Sequence, residues 1–200
     1  LSGSISDTLM SDLYYIVTGN LSISNNDTLW IEPGAIIAFD GYHRIVAQGP
    51  IYAIGTEEDS ISFISHSSQP GPGDWEYIQL QSNASGSKFD YCVFENGDGY
   101  SEWVGSGVIR VDHVSNVHFD HSRFSHNQRG AIAFLGSYSN FSVQNSTFSF
   151  NYDDQSQDGG VINIRLSSSG GDVLISGNEF YQNYGDDIAS YECIGLTITD

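Results

Sequence analysis

A chain of 200 residues can bury one real core and is short for two. Its 25 acids against 6 bases leave a formal charge of −19. That leaves almost nothing to neutralise phosphates, so nucleic acid is excluded as a partner and an anionic membrane surface is disfavoured. High net charge can also keep a chain unfolded, but 39% hydrophobic residues, 13% aromatics and only 4 prolines point to a packed, β-leaning globule. No apolar run approaches the ~18 residues that would imply membrane insertion.

In chain order, Leu1 opens without a basic-then-apolar leader, so any secretion signal is expected to be already gone. Residues 1–13 are Ser-rich with apolar positions at Leu1, Ile5, Leu9 and Leu13, and are expected to lie across one end of the fold as a cap. Short apolar runs follow: Leu21-Ser22-Ile23, Leu29-Trp30-Ile31, Ile36-Ile37-Ala38-Phe39, Ile45-Val46-Ala47, Ile51-Tyr52-Ala53-Ile54, Ile61-Ser62-Phe63-Ile64 and Ile78-Gln79-Leu80. Pro33-Gly34, Gly41, Gly49-Pro50, Gly55 and Pro70-Gly71-Pro72-Gly73 punctuate them. Short alternating runs bounded by turn residues read as strands, and helical periodicity is nearly absent.

The second half repeats. Phe89-Asp90-Tyr91-Cys92-Val93-Phe94 aligns with Phe119-Asp120-His121-Ser122-Arg123-Phe124, then Val143-Gln144-Asn145-Ser146-Thr147-Phe148 and Ile175-Ser176-Gly177-Asn178-Glu179-Phe180. Leu196-Thr197-Ile198-Thr199-Asp200 begins a fifth copy. Asn127, Asn151 and Asn183 keep step three residues after the closing Phe. A second ladder runs through Gly107-Val108-Ile109-Arg110-Val111, Gly130-Ala131-Ile132-Ala133-Phe134, Gly160-Val161-Ile162-Asn163-Ile164 and Asp187-Ile188-Ala189-Ser190-Tyr191.

A step of about 24 residues holding two or three short strands is one circuit of a parallel solenoid, stacked at ~4.8 Å on the next. Longer steps are the same circuit with a loop inserted at a corner. The competing reading, an antiparallel β-sandwich, does not account for two ladders that keep the same order. The predicted fold is therefore all-β, a single right-handed parallel β-helix over residues 1–200. The repeats resemble those of the pectin-lyase-like fold. The first half is similar to the opening circuits of large secreted surface proteins, in Thr28-Leu29-Trp30-Ile31-Glu32-Pro33-Gly34, Gly49-Pro50-Ile51-Tyr52-Ala53-Ile54-Gly55-Thr56, Ile61-Ser62-Phe63 and Pro72-Gly73-Asp74-Trp75. The resemblance implies the fold and leaves function open, since lyases, hydrolases, adhesins and stalks share it.

Enzymes of this fold that act on acidic sugars need cations to hold uronates, and Lys88, Arg110, Arg123, Arg129 and Arg165 are scattered over different columns. A glycosidase for neutral sugars needs only two carboxylates about 5–10 Å apart. Asp90 and Asp120, on successive circuits, would sit ~5 Å apart. His113, His118, His121 and His126 have no copies in neighbouring circuits and do not converge as zinc requires. Thr197-Ile198-Thr199 stands without the repeated Thr ladder that an ice-binding face wants.

The acidic corner is the sharper metal candidate. Asn151-Tyr152-Asp153-Asp154 and Asn183-Tyr184-Gly185-Asp186-Asp187 fall at the same place in adjacent circuits, so Asp153, Asp154, Asp186 and Asp187 could supply oxygen ligands for a structural Ca²⁺. No other cofactor is expected. Cys92 and Cys193 lie three and a half to four circuits apart, ~17–19 Å at the stacking distance, too far for a disulfide within one chain. A bond between subunits stays open.

Sequons at Asn20, Asn26, Asn83, Asn140 and Asn145 suggest a secreted or cell-surface glycoprotein. Leu196 to Asp200 stops in a strand ladder without a cap, so the expected partners are further domains of a longer chain or a second copy stacked head to tail as a filament. Glycans are a further candidate partner through exposed Tyr and Trp. The expected function is structural or adhesive and non-catalytic, with a polysaccharide hydrolase or lyase as the alternative. If Ca²⁺ occupies the acidic corner, titrating it into metal-free protein raises the thermal midpoint. A midpoint indifferent to Ca²⁺ removes that site.

Overall fold

The computed structural model describes residues 1–81, 83–99, 106–137, 139–152, 160–166, 172–191, 193 and 195–200. The chain is a right-handed parallel β-helix whose circuits each contribute a strand to three sheets. Sheet A stacks eight strands: Gly3–Ser4, Leu21–Ile23, Ile45–Ala47, Ile78–Gln81, Ile109–Asp112, Ile132–Gly136, Gly160–Leu166 and Asp186–Tyr191. Sheet B stacks eight, namely Asp7–Leu9, Leu29–Ile31, Ile51–Ile54, Lys88–Asp90, Val117–Asp120, Phe141–Gln144, Val173–Ser176 and Leu196–Thr199. Sheet C stacks seven: Tyr14–Val17, Ile36–Phe39, Ile61–Ser65, Cys92–Glu95, Arg123–Ser125, Thr147–Ser149 and Glu179–Tyr181.

Both sequence ladders hold in the register. Phe89 pairs with Phe119, Phe94 with Phe124 and then Phe148 and Phe180, and Ile109 with Ile132 and Ile162. The last rung of sheet A is shifted by one from the sequence alignment, because Ile188 rather than Ala189 faces Ile162. The expected cap over residues 1–13 is corrected too. Gly3–Ser4 and Asp7–Leu9 pair in parallel with the next circuit, and Leu9 points into the core, so this stretch is itself a circuit.

Alternation drives the packing: along most strands inward and outward residues take turns, as Ile61, Phe63 and Ser65 enter between Ser62 and Ile64, and Phe89 enters between Lys88 and Asp90. Inside, identical rings meet at the rung spacing. Phe63, Phe94, Phe124, Phe148 and Phe180 form one stack with centroids 5.0, 4.7, 4.9 and 4.9 Å apart. Near-parallel rings at this distance add to the burial of their area.

The corners carry a second kind of column. Between sheets B and C the chain turns through Tyr91, His121, Asn145 and Gly177, all with positive φ of 46 to 63°. This left-handed conformation disfavours side chains with a Cβ. Two hydrogen-bond ladders hold the circuits in line there and after sheet C. Ser122 Oγ accepts from Cys92 N–H at 3.1 Å, Ser146 Oγ from Ser122 N–H at 3.1 Å, and Asn178 Oδ1 from Ser146 N–H at 2.9 Å. After sheet C, Asn127 Nδ2 donates to Asn151 Oδ1 at 2.9 Å and Asn151 Nδ2 to Asn183 Oδ1 at 3.1 Å. The same amides donate to the Phe94, Phe124 and Phe148 carbonyls.

Loop length is taken up at the corner between sheets C and A, and part of that chain folds back over sheet A. Gly107 lies against the outward residue Ala133: a Cβ there would come 2.6 Å from the Ala133 amide nitrogen. Ala133 is consequently buried although it sits on the outward column of sheet A, and its register partner Asn163 is buried too. The outer face of sheet B has no such cover over its aromatic residues.

Replacing Asn151 by Ala removes the acceptor of the Asn127 amides and the donor to the Phe124 carbonyl, inside a site that water does not reach. Stranded buried groups cost about 1–3 kcal/mol each, so Asn151→Ala should lower unfolding stability by about 2–4 kcal/mol. Urea denaturation measures this directly; a loss below about 0.5 kcal/mol would mean that the ladder is decorative.

Candidate functional site

The outer face of sheet B presents two columns. One runs Thr8, Trp30, Tyr52, Lys88, His118 and Ser142. The other carries Ile54, Asp90, Asp120 and Gln144. Trp30 and Tyr52 are outward because Leu29, Ile31, Ile51 and Ala53 beside them are locked in the core. Their rings stack at 4.5 Å with 24° between planes, and Trp30 stays 50% exposed. A cleft of about 450 Å³ opens beside them, walled by Pro33 and Ile54 and bounded by Thr8 and Glu32. Glu32 is held in place by the Ser11 N–H, which donates to its Oε2 at 2.9 Å.

One rung past Tyr52 the character changes from apolar to ionic. Asp90 and Asp120 are register partners, as their sequence positions imply. Burial pushes the Asp90 carboxyl above the ordinary aspartate value, the Asp120 charge adds to that, and Lys88 and His121 oppose it. Asp120 accepts from the His121 N–H at 3.0 Å and from Asn145 Nδ2 at 2.9 Å. His118 Nδ1 lies 2.8 Å from Ser142 Oγ, and burial, with Lys88 nearby, holds its pKa below the ordinary histidine value.

The four histidines are dispersed. His113 contacts Asp112 at the corner between sheets A and B, His118 lies on sheet B, His121 turns the next corner, and His126 stacks on Phe150 after sheet C. Among the described residues no three His, Cys, Asp or Glu side chains converge on a metal position. Of the acidic corner, Asp153 and Asp154 lie outside the described residues. Asp186 and Asp187 are exposed, and Asp187 Oδ1 accepts from Asn183 Nδ2 at 3.2 Å. The corner itself is shared as expected, since Tyr152 and Tyr184 bridge and stack at 4.6 Å.

The arginines are engaged with the protein's own groups. Arg44 pairs with Glu76 at 2.9 Å, Arg123 with Glu95 at 3.0 Å, Arg129 with the buried Asp98, and Arg110 and Arg44 lie over the Tyr77 ring. Cys92 and Cys193 are both free thiols, Cys92 buried. The sequon residues Asn20, Asn26, Asn83, Asn140 and Asn145 are all exposed. Asn145 borders a second, polar cleft with Glu57, Tyr91, His121 and Arg123 at the corner between sheets B and C.

Sequence reasoning found the carboxylate pair and missed the aromatic one. The signal is present, since Trp30 and Tyr52 follow the first residue of two strands one circuit apart, but that half of the sequence lacks the evenly repeated Phe that marks register from Phe89 onward. The architecture defines a parallel β-helix with an open, mixed aromatic and acidic face. No protein family, no characterised protein and no solved structure matches the chain.

The Asp90 shift has a sign that can be measured. A carboxyl whose folded pKa is raised binds its proton more tightly folded than unfolded, so it lowers stability as pH rises from the ordinary aspartate value through the folded one. Asp90→Asn should therefore raise the melting temperature at neutral pH, with the gain vanishing once the medium is acidic enough to protonate Asp90. A gain over the parent no larger at neutral pH than at pH ~3 would contradict this.

Proposed function

We propose that this chain is a non-catalytic extracellular module, structural or adhesive, of a cell-surface protein or surface fibre. The observation that carries this reading is the set of axial columns. Phenylalanine rings, asparagine amides and serine hydroxyls are each joined from circuit to circuit, so bending the tube must part many contacts together. Such a construction suits a stiff spacer that holds a surface at a distance. The five exposed sequon asparagines fit an extracellular setting.

A carbohydrate-active enzyme is the second reading, favoured by Asp90 and Asp120. Two carboxylates one rung apart, one with its pKa raised, have the spacing of a retaining glycosidase at ~5 Å. Against it, Asp120 already accepts two hydrogen bonds from neighbouring residues. Incubation with a panel of neutral and acidic polysaccharides separates the readings. The module is expected to release no reducing ends. Turnover that disappears in both Asp90→Asn and Asp120→Asn would establish the enzyme instead.

A further inference from the structure

Trp30 is a costly residue to leave half in water. Its setting makes it a fixed platform rather than a loose apolar patch. Leu29 and Ile31 anchor the backbone on both sides, and Tyr52 covers one indole face at 4.5 Å. The position one rung before it is Thr8, too short to cover the other face. Pro33 and Ile54 line the cleft with the two rings, and Thr8 and Glu32 add a hydroxyl-bearing and a carboxylate-bearing residue to its lining. Because Ser11 holds only Oε2 of Glu32, the second oxygen can accept from a ligand.

We propose that this cleft binds one sugar ring of a neutral glycan, the ring stacking its C–H face on Trp30 while its hydroxyls meet Glu32 and Thr8. The proposal rests on the adhesive reading and names its partner class. A pyranose pairs a flat apolar face with a rim of hydroxyls, which is the complement of an aromatic platform edged by a carboxylate and a hydroxyl. Uronates are disfavoured by Glu32 within a chain of net charge −19. A quaternary ammonium is bound best by aromatic walls that surround it. Here the two rings are near-parallel, so only one face is offered. The cleft of about 450 Å³ is within the size range of small-ligand sites.

The test is saturation-transfer NMR and titration with neutral gluco-, galacto-, manno- and N-acetylglucosamine oligosaccharides, with a polyuronate and choline as charged probes. The expected result is saturation of the C–H protons on one face of at least one neutral sugar. Trp30→Ala should weaken that binding by about tenfold or more, and Trp30→Phe by less. Unchanged melting curves verify that these outward substitutions leave the fold intact. The proposal is overturned if no neutral sugar receives saturation, if Trp30→Ala binds as well as the parent, or if choline alone binds. Adhesion of protein-coated beads to glycan-bearing cells separates this outcome from failure of the wider reading. Beads that adhere equally with Trp30→Ala leave the module adhesive and remove the site, whereas parent protein that adheres to nothing removes the adhesive role.

Discussion

Every circuit of this protein lies in register on the one before it, ~4.8 Å away, and the remaining features are consequences of that stacking. A side chain meets its counterpart on the next rung whether the pairing is favourable or not. Aromatic rings and primary amides gain from such repetition, since a ring offers two faces and an amide both donates and accepts. Carboxylates lose by it. Asp90 and Asp120 are the clearest case, and their mutual effect on ionisation follows from rung spacing alone. It is physically consistent that phenylalanine fills an inner column of sheet C from Phe63 to Phe180, while Glu95 stands beside Ser125 and Asp112 beside Leu135.

The corners carry the opposing energetic terms. A left-handed residue recurs in each described turn from sheet B to sheet C from Tyr91 onward, and only Gly177 is free of the steric penalty. Tyr91 and His121 offset part of it by stacking on one another at 4.7 Å. The Ser122–Ser146–Asn178 ladder closes the same corner from within. Left-handed residues recur after sheet C as well, at Asn96, His126, Phe150 and Gln182, so turn strain and turn hydrogen bonding are shared by two edges of the tube, the second of which also takes the long insertions. On the outer face of sheet B, Trp30 stays half exposed.

How much of this could be read from residues alone varied with the half of the chain. From Phe89 onward the large repeating Phe and the companion Asn mark the register directly, and both ladders emerged from spacing. In sheet B before Phe89 the inward positions are Leu29, Ile31, Ile51 and Ala53, interchangeable to the eye, so no marker ties Trp30 to Tyr52. The N-terminal segment is hard to read for a related reason: Gly3–Ser4 and Asp7–Leu9 carry one large apolar residue between them, and backbone pairing makes them a circuit. The one-residue shift at Ile188 has the same origin, since Asp186 takes the place that glycine holds in the earlier copies of that ladder. Asp90 beside Asp120 needed only the period, whereas Glu32 beside the aromatic pair needed three-dimensional placement of the loop after Ile31.

The asparagine column also has a direction. Each amide nitrogen gives its hydrogen to the oxygen of the following circuit, from Asn127 to Asn151 to Asn183. The small dipoles therefore add head to tail, with their positive end toward the later circuits, as peptide dipoles do along an α-helix. The last nitrogen of the series donates to the carboxylate of Asp187, a negative charge at the positive end. The column from Asn127 to Asp187 is therefore electrically polar along the axis, and its two ends present different fields.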